Sequence, residues 1–551
     1  MIELLAGIAL TTAAGAPVIS SGGIVNATGY QTILAPDTVF VIFGSNMGPA
    51  TITTASAPSY PTSLGGTSIT FTPSSGGAAI PAKMIYSSSG QVAGLLPSSI
   101  VPGAYAVQLT YSSQTSAPQN VTVAARSFGI ATVNNAGTGA AQATIGNVNG
   151  GISLVRLTGG SLPFQGLTWT LAPAHPGDAL VLWGTGGGAD PANDTGGTSG
   201  DQTAAGNFIV NVDGTPITPL YAGASSGYPG LWQINFTLPA NIAPDCFGSL
   251  QVSSGGQLSN IVTISIAAAG QTSCSSQISA STLSKLDSGG TIVMAAPVIG
   301  TAFFTSGGTT STFSSLGGVF NQYTAAEFLI PYSGPKFGPC KVLEETYPVG
   351  AKEPSYPDKL LDAGTIQYSG PDGSGNLTTI TTAAGTLYGS PLKTLQPGGT
   401  YTLTGLGGPQ VGAFSTISAT LPTSFTVTNF SSLTTINRSQ PLTVSWTGTG
   451  FDQVLILLIG GATSSTAVQG VTVSCALDAS LGTYSIPAVA LGHLPAGTVQ
   501  LEVEAVKNSG GEASAESTTS TSFTPPLVGG GKADFGSFTP FLAYIQNAKV
   551  Q

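Results

Sequence analysis

A chain of 551 residues is long enough for roughly three to five domains. Only 7% of it is Asp, Glu, Lys or Arg, against a usual ~25%, and its net charge of −10 excludes the basic surface that nucleic-acid binding needs. At 41% hydrophobic it is no disordered polar tract, and 76 glycines and 37 prolines point to many short strands joined by turns.

The N-terminal segment, residues 1–22, is signal-like. Met1 to Ala16 carries a short apolar core and an Ala-Gly-Ala end, without a basic n-region. It is too short to span a bilayer, and no other segment is apolar enough to do so.

Residues 23–125 form a first unit organised around Pro36-Asp37-Thr38-Val39-Phe40-Val41-Ile42-Phe43-Gly44-Ser45-Asn46-Met47-Gly48. A turn, an apolar run rich in β-branched and aromatic residues and a glycine turn read as a buried strand. The pattern returns at Pro176-Gly177-Asp178-Ala179-Leu180-Val181-Leu182-Trp183-Gly184, in a second unit at residues 126–270. Gln91-Val92-Ala93-Gly94-Leu95-Leu96-Pro97 likewise matches Gln233-Ile234-Asn235-Phe236-Thr237-Leu238-Pro239. Phe43 is therefore expected to superimpose on Trp183, and Gln91 on Gln233. About seven short alternating strands per ~100 residues indicate tandem immunoglobulin-like β-sandwiches.

Residues 271–286 read as a Ser/Thr/Gln linker. Residues 287–423 read as a third β domain, with strands expected at 364–369 and 400–403. It holds the chain's one charge cluster: Lys341, Glu344, Glu345, Lys352, Glu353, Asp358, Lys359 and Asp362. Residues 424–524 form a fourth, immunoglobulin-like unit. Residues 525–551 carry a last strand that returns to the third or the fourth.

Gly23-Ile24-Val25-Asn26-Ala27, Phe43-Gly44-Ser45-Asn46-Met47-Gly48, Thr62-Ser63-Leu64-Gly65-Gly66 and Gly230-Leu231-Trp232-Gln233-Ile234-Asn235 occur in order. Across about residues 20–268 the chain resembles the "Solibacter uncharacterised C-terminal" domain family of secreted acidobacterial proteins. Gln91-Val92-Ala93 stands where that family tends to have Gln-Ile-Asn, and the family segment is usually C-terminal rather than first. Segments of residues 287–551, such as Leu361-Asp362-Ala363-Gly364, also look similar to β modules of secreted acidobacterial proteins. The family has no established activity, so the resemblance implies export and β structure, not chemistry.

Four cysteines form no CxxC motif and have no neighbouring His, which speaks against zinc. Cys246 and Cys274 bracket two predicted strands with a hairpin at Gly255-Gly256 and are expected to form a disulfide. Cys340 and Cys475 pair only if their domains pack together. Gly223-Ala224-Ser225-Ser226-Gly227 fits a nucleophile elbow, but Tyr228-Pro229-Gly230 follows where a helix must begin. His175 and His493, the chain's two histidines, both read as turn residues. The acidic loop with Asp190, Asn193, Asp194 and Asp201 is the calcium candidate, weighed against a solvated hairpin loop. Glu344, Glu345, Glu353 and Asp358, the candidates for a glycosidase pair, alternate with lysines as in a salted surface loop. Trp183 and Trp446 read as core. Trp232 and Tyr228, on a Gly/Pro-rich loop, are the candidate glycan contacts, although for Trp232 core packing is the preferred reading.

The expectation is a secreted or cell-surface bacterial protein, non-enzymatic and without cofactor, in a structural or adhesive role. The alternatives are a self-assembling filament or sheath subunit and a carbohydrate-binding accessory module. Its partners are then itself or surface glycans and proteins, with no nucleic acid.

Overall fold

The computed structural model of the chain describes residues 15–146, 151–164, 166–275, 278–329, 334–348, 359–392, 394–463, 467–507 and 523–551. Strand makes up 55% and helix 6%, as alternation and turn spacing require. Residues 1–14 of the signal-like segment lie outside this description; residues 18–22 are the first part of the strand Val18–Asn26, in which Val18 faces Ser45.

Unit one packs two sheets face to face. One has the order Val18–Asn26, Val39–Ser45, Gln91–Leu95, Lys83–Ser87, Thr53–Thr54; the other runs Ile33–Leu34, Gln119–Val123, Gly103–Tyr111, Thr67–Pro73, Ile80–Pro81. Alternation directs Phe40, Phe71 and Tyr105 into the core, where Phe40 meets Phe71 edge-on at 5.3 Å. The buried Tyr105 hydroxyl donates to the Val101 carbonyl four residues upstream at 2.7 Å, the corner that immunoglobulin-like sandwiches use.

Unit two repeats the plan. The strand Ala179–Thr185 pairs with Trp232–Thr237 as Val39–Ser45 pairs with Gln91–Leu95, and Trp183 faces Gln233 as Phe43 faces Gln91. The repeat legible in the sequence is thus kept residue for residue in register. Ala143–Gly146 pairs with the repeated strand where the second half of Val18–Asn26 does in unit one, and Ile152–Val155, Gly160–Phe164 and Leu167–Ala172 are extra strands that widen this sheet of unit two.

The C-terminal half departs from two separate domains at 287–423 and 424–524. One thirteen-stranded sheet runs through both. Its centre is the last strand, Thr539–Val550, parallel to Thr291–Ser306 and antiparallel to Gly497–Val506. The chain end therefore returns to both halves and fuses them. A four-stranded sheet (Gly373–Asn376, Ile366–Gly370, Thr400–Gly405, Phe414–Thr420) covers one end. A three-stranded sheet (Ser424–Val427, Leu442–Thr449, Thr483–Ile486) covers the other. Strands over Ile366–Gly370 and Thr400–Gly405 fall where the sequence places them. Lys352, Glu353 and Asp358 lie outside the described residues.

Candidate functional site: the seams between units

The turn before the repeated strand differs between the units at the residue after the shared proline. Unit two has Gly177 with φ +89°, where unit one has Asp37 with φ +59°. A side chain in the left-handed region costs about 1 kcal/mol or more, and the use of Asp37 accounts for it. Its Oδ2 accepts the Asp190 N–H at 2.5 Å across the unit boundary, with both residues fully buried. Its Oδ1 is buried with no hydrogen-bond partner. Burial pushes the Asp37 carboxyl up to about 8; the Asp190 amide pulls it down, and the charges of Asp194 and Asp190 push it up.

The calcium-candidate loop follows from this contact. The Asp190 carboxylate accepts Ser199 Oγ at 2.5 Å, Ser199 N–H at 2.8 Å and Ala192 N–H at 3.1 Å. Asn193 is buried; its Oδ1 accepts Gly230 N–H at 2.6 Å and its amide donates to Ser225 and Gly197 carbonyls. Asp194 reaches into unit one, accepting Ser98 Oγ at 2.6 Å and pairing with Lys83 at 3.5 Å. Asp201 is exposed and ties Thr203 to Ala222, and the Thr203 bonds lower its pKa. Calcium needs several oxygens converging on one point. Here each side chain is aimed at protein donors instead, and no metal-holding group of His, Cys, Asp or Glu occurs among the described residues. The loop is mortar between units one and two. Asn26 adds to the same seam, donating to the Ser127 and Thr185 carbonyls.

The second seam centres on Arg156 and Asp287, 5% and 4% exposed. Arg156 Nε donates to Asp287 Oδ1 at 2.9 Å, and Nη2 donates to the Leu286 and Asp287 carbonyls. The carboxylate also accepts the Leu157 and Thr158 N–H groups and the Thr158 hydroxyl. Burial pulls the Arg156 pKa below its ordinary value, and Asp287 partly restores it. Asp287 ends the helix Ala280–Asp287, which starts at a Ser279 cap and buries Leu283 and Leu286 one turn apart. The segment read as a linker therefore holds a packed helix. At its far side Lys285 pairs with Asp534 at 2.6 Å, and nearby Lys336 pairs with Asp245 at 2.7 Å.

Cys246 and Cys274 share the apolar cluster of this seam as buried thiols, with no disulfide between them. The expected strands do pair antiparallel, and Gly255-Gly256 does turn the chain. Beyond Ile266, however, the chain leaves the hairpin: Ile266 bridges Ala174, Ser273 bridges Thr158, and Cys274 N–H donates to the Leu157 carbonyl. That path carries Cys274 away from the start of Asp245–Ser254. The disulfide that forms is Cys340–Cys475, directly opposed on Cys340–Pro348 and Ala467–Asp478 with a Cα–Cα distance of 4.0 Å. It exists because both halves share one sheet.

Trp232 is 0% exposed, stacked on Phe208 at 6.0 Å, with Gly187 so close to its ring that a Cβ there would clash at 2.1 Å. It is core and no glycan contact. Tyr228, 61% exposed, remains at the surface. Trp446 is core as expected, its Nε1 donating to the Ala479 carbonyl at 3.0 Å. Ser225 and Ser226 follow the strand Tyr221–Ala224 and lead into a turn. His175 meets Asp178 and the Gln271 carbonyl; His493 meets Glu344 at 2.8 Å. A cleft of about 560 Å³ lies between the two C-terminal sandwiches, lined by Phe303, Phe425 and the hydroxyls of Thr301, Ser314 and Thr394, and its described lining holds no ionisable side chain.

Asp37, Arg156 and Asp287 were not singled out by sequence reasoning. Asp37 carried a signal, an aspartate at the glycine position of its own repeat. Arg156 stands alone in Ile152-Ser153-Leu154-Val155-Arg156-Leu157, an apolar strand context that calls for a buried partner.

No protein-family model matches the chain, and no curated protein does. Solved structures that it resembles include SGBP-B from a xyloglucan utilization locus of Bacteroides uniformis, at 11% identity over 69% of this chain and 86% of that one, TM-score 0.15. Others are the chicken CNTN1 FN1-FN3 domains, at 11% over 61% and 94%, TM-score 0.13, and surface layer protein SbsC domains 4-9, at 12% over 82% and 64%, TM-score 0.12. These likenesses are too distant to assign an activity or a ligand.

Proposed function

We propose that this is an exported, non-enzymatic structural or adhesive protein whose immunoglobulin-like units are fixed relative to one another. The observation that carries the reading is where a charge-poor chain puts its charges. Among the described residues, the four lysine or arginine ion pairs all sit at junctions: Lys83–Asp194 and Lys336–Asp245 cross from one unit to another, and Arg156–Asp287 and Lys285–Asp534 tie the connecting helix to unit two and to the C-terminal body. A buried pair such as Arg156–Asp287 is suited to specifying orientation more than to adding stability. A chain that holds its modules at set angles serves as a spacer or a surface-presenting scaffold. The Cys340–Cys475 bond fits an oxidising compartment.

The test is fractionation of the producing cells with immunogold imaging. The protein is expected outside the cytoplasmic membrane with Cys340 and Cys475 oxidised. A cytosolic pool with both thiols reduced would overturn the reading.

A further inference from the structure

The thirteen-stranded sheet ends at Thr378-Thr379-Ile380-Thr381-Thr382. This strand pairs with Gly385–Leu392 on one side, and among the described residues nothing pairs with its other side. All five residues are exposed. Such an edge offers a row of unpaired N–H and C=O groups, which proteins ordinarily guard with a lysine, a proline, a bulge or a covering segment. The strand has no charge, no proline and no break in register, and every residue is β-branched, favouring extended chain.

The five residues also read the same in both directions. Antiparallel strands run in opposite senses, so a twofold axis at Ile380 sets Thr378 opposite the partner's Thr382, Thr379 opposite the partner's Thr381, and Ile380 opposite itself. The protein already uses these pairings within itself. Directly opposed hydroxyl residues on its exposed antiparallel strands hydrogen-bond through their side chains at Thr305–Thr310 (3.0 Å), Thr400–Thr420 (2.9 Å), Thr110–Thr115 (2.9 Å) and Thr443–Ser485 (2.7 Å).

We propose that this edge is a homodimerisation strand. Two copies join antiparallel through Thr378–Thr382, and the sheet continues across the twofold axis. The contact adds roughly four to six main-chain hydrogen bonds, according to which alternate residues point outward. It also covers two Ile380 side chains, each 55% exposed in the single copy. The area is well below the ~1,200 Å² of a stable interface, so the dimer is weak and concentration-dependent. The edge itself is neutral, while each chain carries −10; added salt screens the long-range repulsion and favours the dimer. The proposal stands on the strand itself and is independent of the structural reading of the whole protein.

Sedimentation velocity of the full chain over a wide concentration range tests it. Reversible passage from monomer to dimer is expected. Ile380→Lys should stay monomeric with an unchanged far-ultraviolet spectrum. Register is tested with Ile380→Cys, which faces its own symmetry mate and should cross-link under mild oxidation faster than the exposed control Leu481→Cys. A wild type that is monomeric throughout, a dimer that survives Ile380→Lys, or cross-linking no faster than the control would overturn it.

Discussion

Asp287→Ala removes a carboxylate that accepts four hydrogen bonds: from Arg156 Nε (2.9 Å), Leu157 N–H (3.0 Å), Thr158 N–H (2.8 Å) and Thr158 Oγ1 (2.7 Å). The Arg156 guanidinium, in a side chain 5% exposed, keeps two main-chain carbonyls and loses its counter-charge. Removing one partner of a buried pair costs about 3–5 kcal/mol, because the other charge is left in a low-dielectric site. At ~1.4 kcal/mol per decade this is about two to three and a half decades in the opening equilibrium of the seam. A chain of several units does not melt in one step, so global unfolding is the wrong readout. Native-state hydrogen exchange is the right one, followed at the amides of Leu283 and Cys274. Their acceptors, the carbonyls of Ser279 and Leu157, are untouched by the substitution. Both amides should exchange faster by those two or more decades. Arg156→Met combined with Asp287→Leu should recover only the part of the protection lost to the stranded guanidinium, since the Leu157 and Thr158 N–H groups still lose their acceptor. Acceleration of less than about tenfold in Asp287→Ala would refute the reasoning.

The first seam should respond to pH. The folded pKa of Asp37 is raised to about 8 by burial, so its contribution is complete below the unfolded value of 3.8 and is lost as pH rises through about 8. Calorimetric melting from pH 5 to 9 should fall more steeply for the wild type than for Asp37→Asn, in which the buried Glu504, also raised to about 8, still contributes a fall; an equal fall in both contradicts the assignment. Replacing Cys340 and Cys475 by serine opens a loop of 135 residues' separation, worth about 5 kcal/mol by chain entropy. An unchanged urea midpoint for the C-terminal body would count against that figure. Trp232→Ala should cost about 3–5 kcal/mol, as for any large buried ring, and Tyr228→Ala within about 0.5 kcal/mol. Equal effects in urea unfolding would show that the two side chains are not core and surface.

The repeat was legible because a buried strand between turns imposes residue types at fixed spacing, and Phe43 with Gln91 and Trp183 with Gln233 kept theirs. Core burial was legible at Trp446; Trp183, read as core, is instead half-buried on the opposite face of its strand from Leu180 and Leu182, and Trp232 is buried, in agreement with the preferred reading of core packing over a glycan contact. Its Gly/Pro-rich neighbours suggested an exposed loop, whereas Gly187 and Gly230 are there to let backbone and ring approach closely. The strands at 143–172 went unread because short Gly/Thr runs carry little periodicity. The fusion of the C-terminal halves depends on pairing between Thr291–Ser306 and Thr539–Val550, more than 230 residues apart along the chain. No local pattern encodes such a pairing. The seam ion pairs were hidden likewise: an isolated Arg156 announces a need for a partner but not that Asp287 meets it.

The central claim is that these seams fix the units at set angles. It is tested most directly by a pulsed electron-paramagnetic-resonance distance between spin labels at Val101→Cys in unit one and Leu481→Cys in the C-terminal body. Both positions are exposed, at 65% and 52%. A single narrow distance distribution is expected, broadening in Asp287→Ala. A broad or many-peaked distribution in the otherwise native protein would contradict the claim.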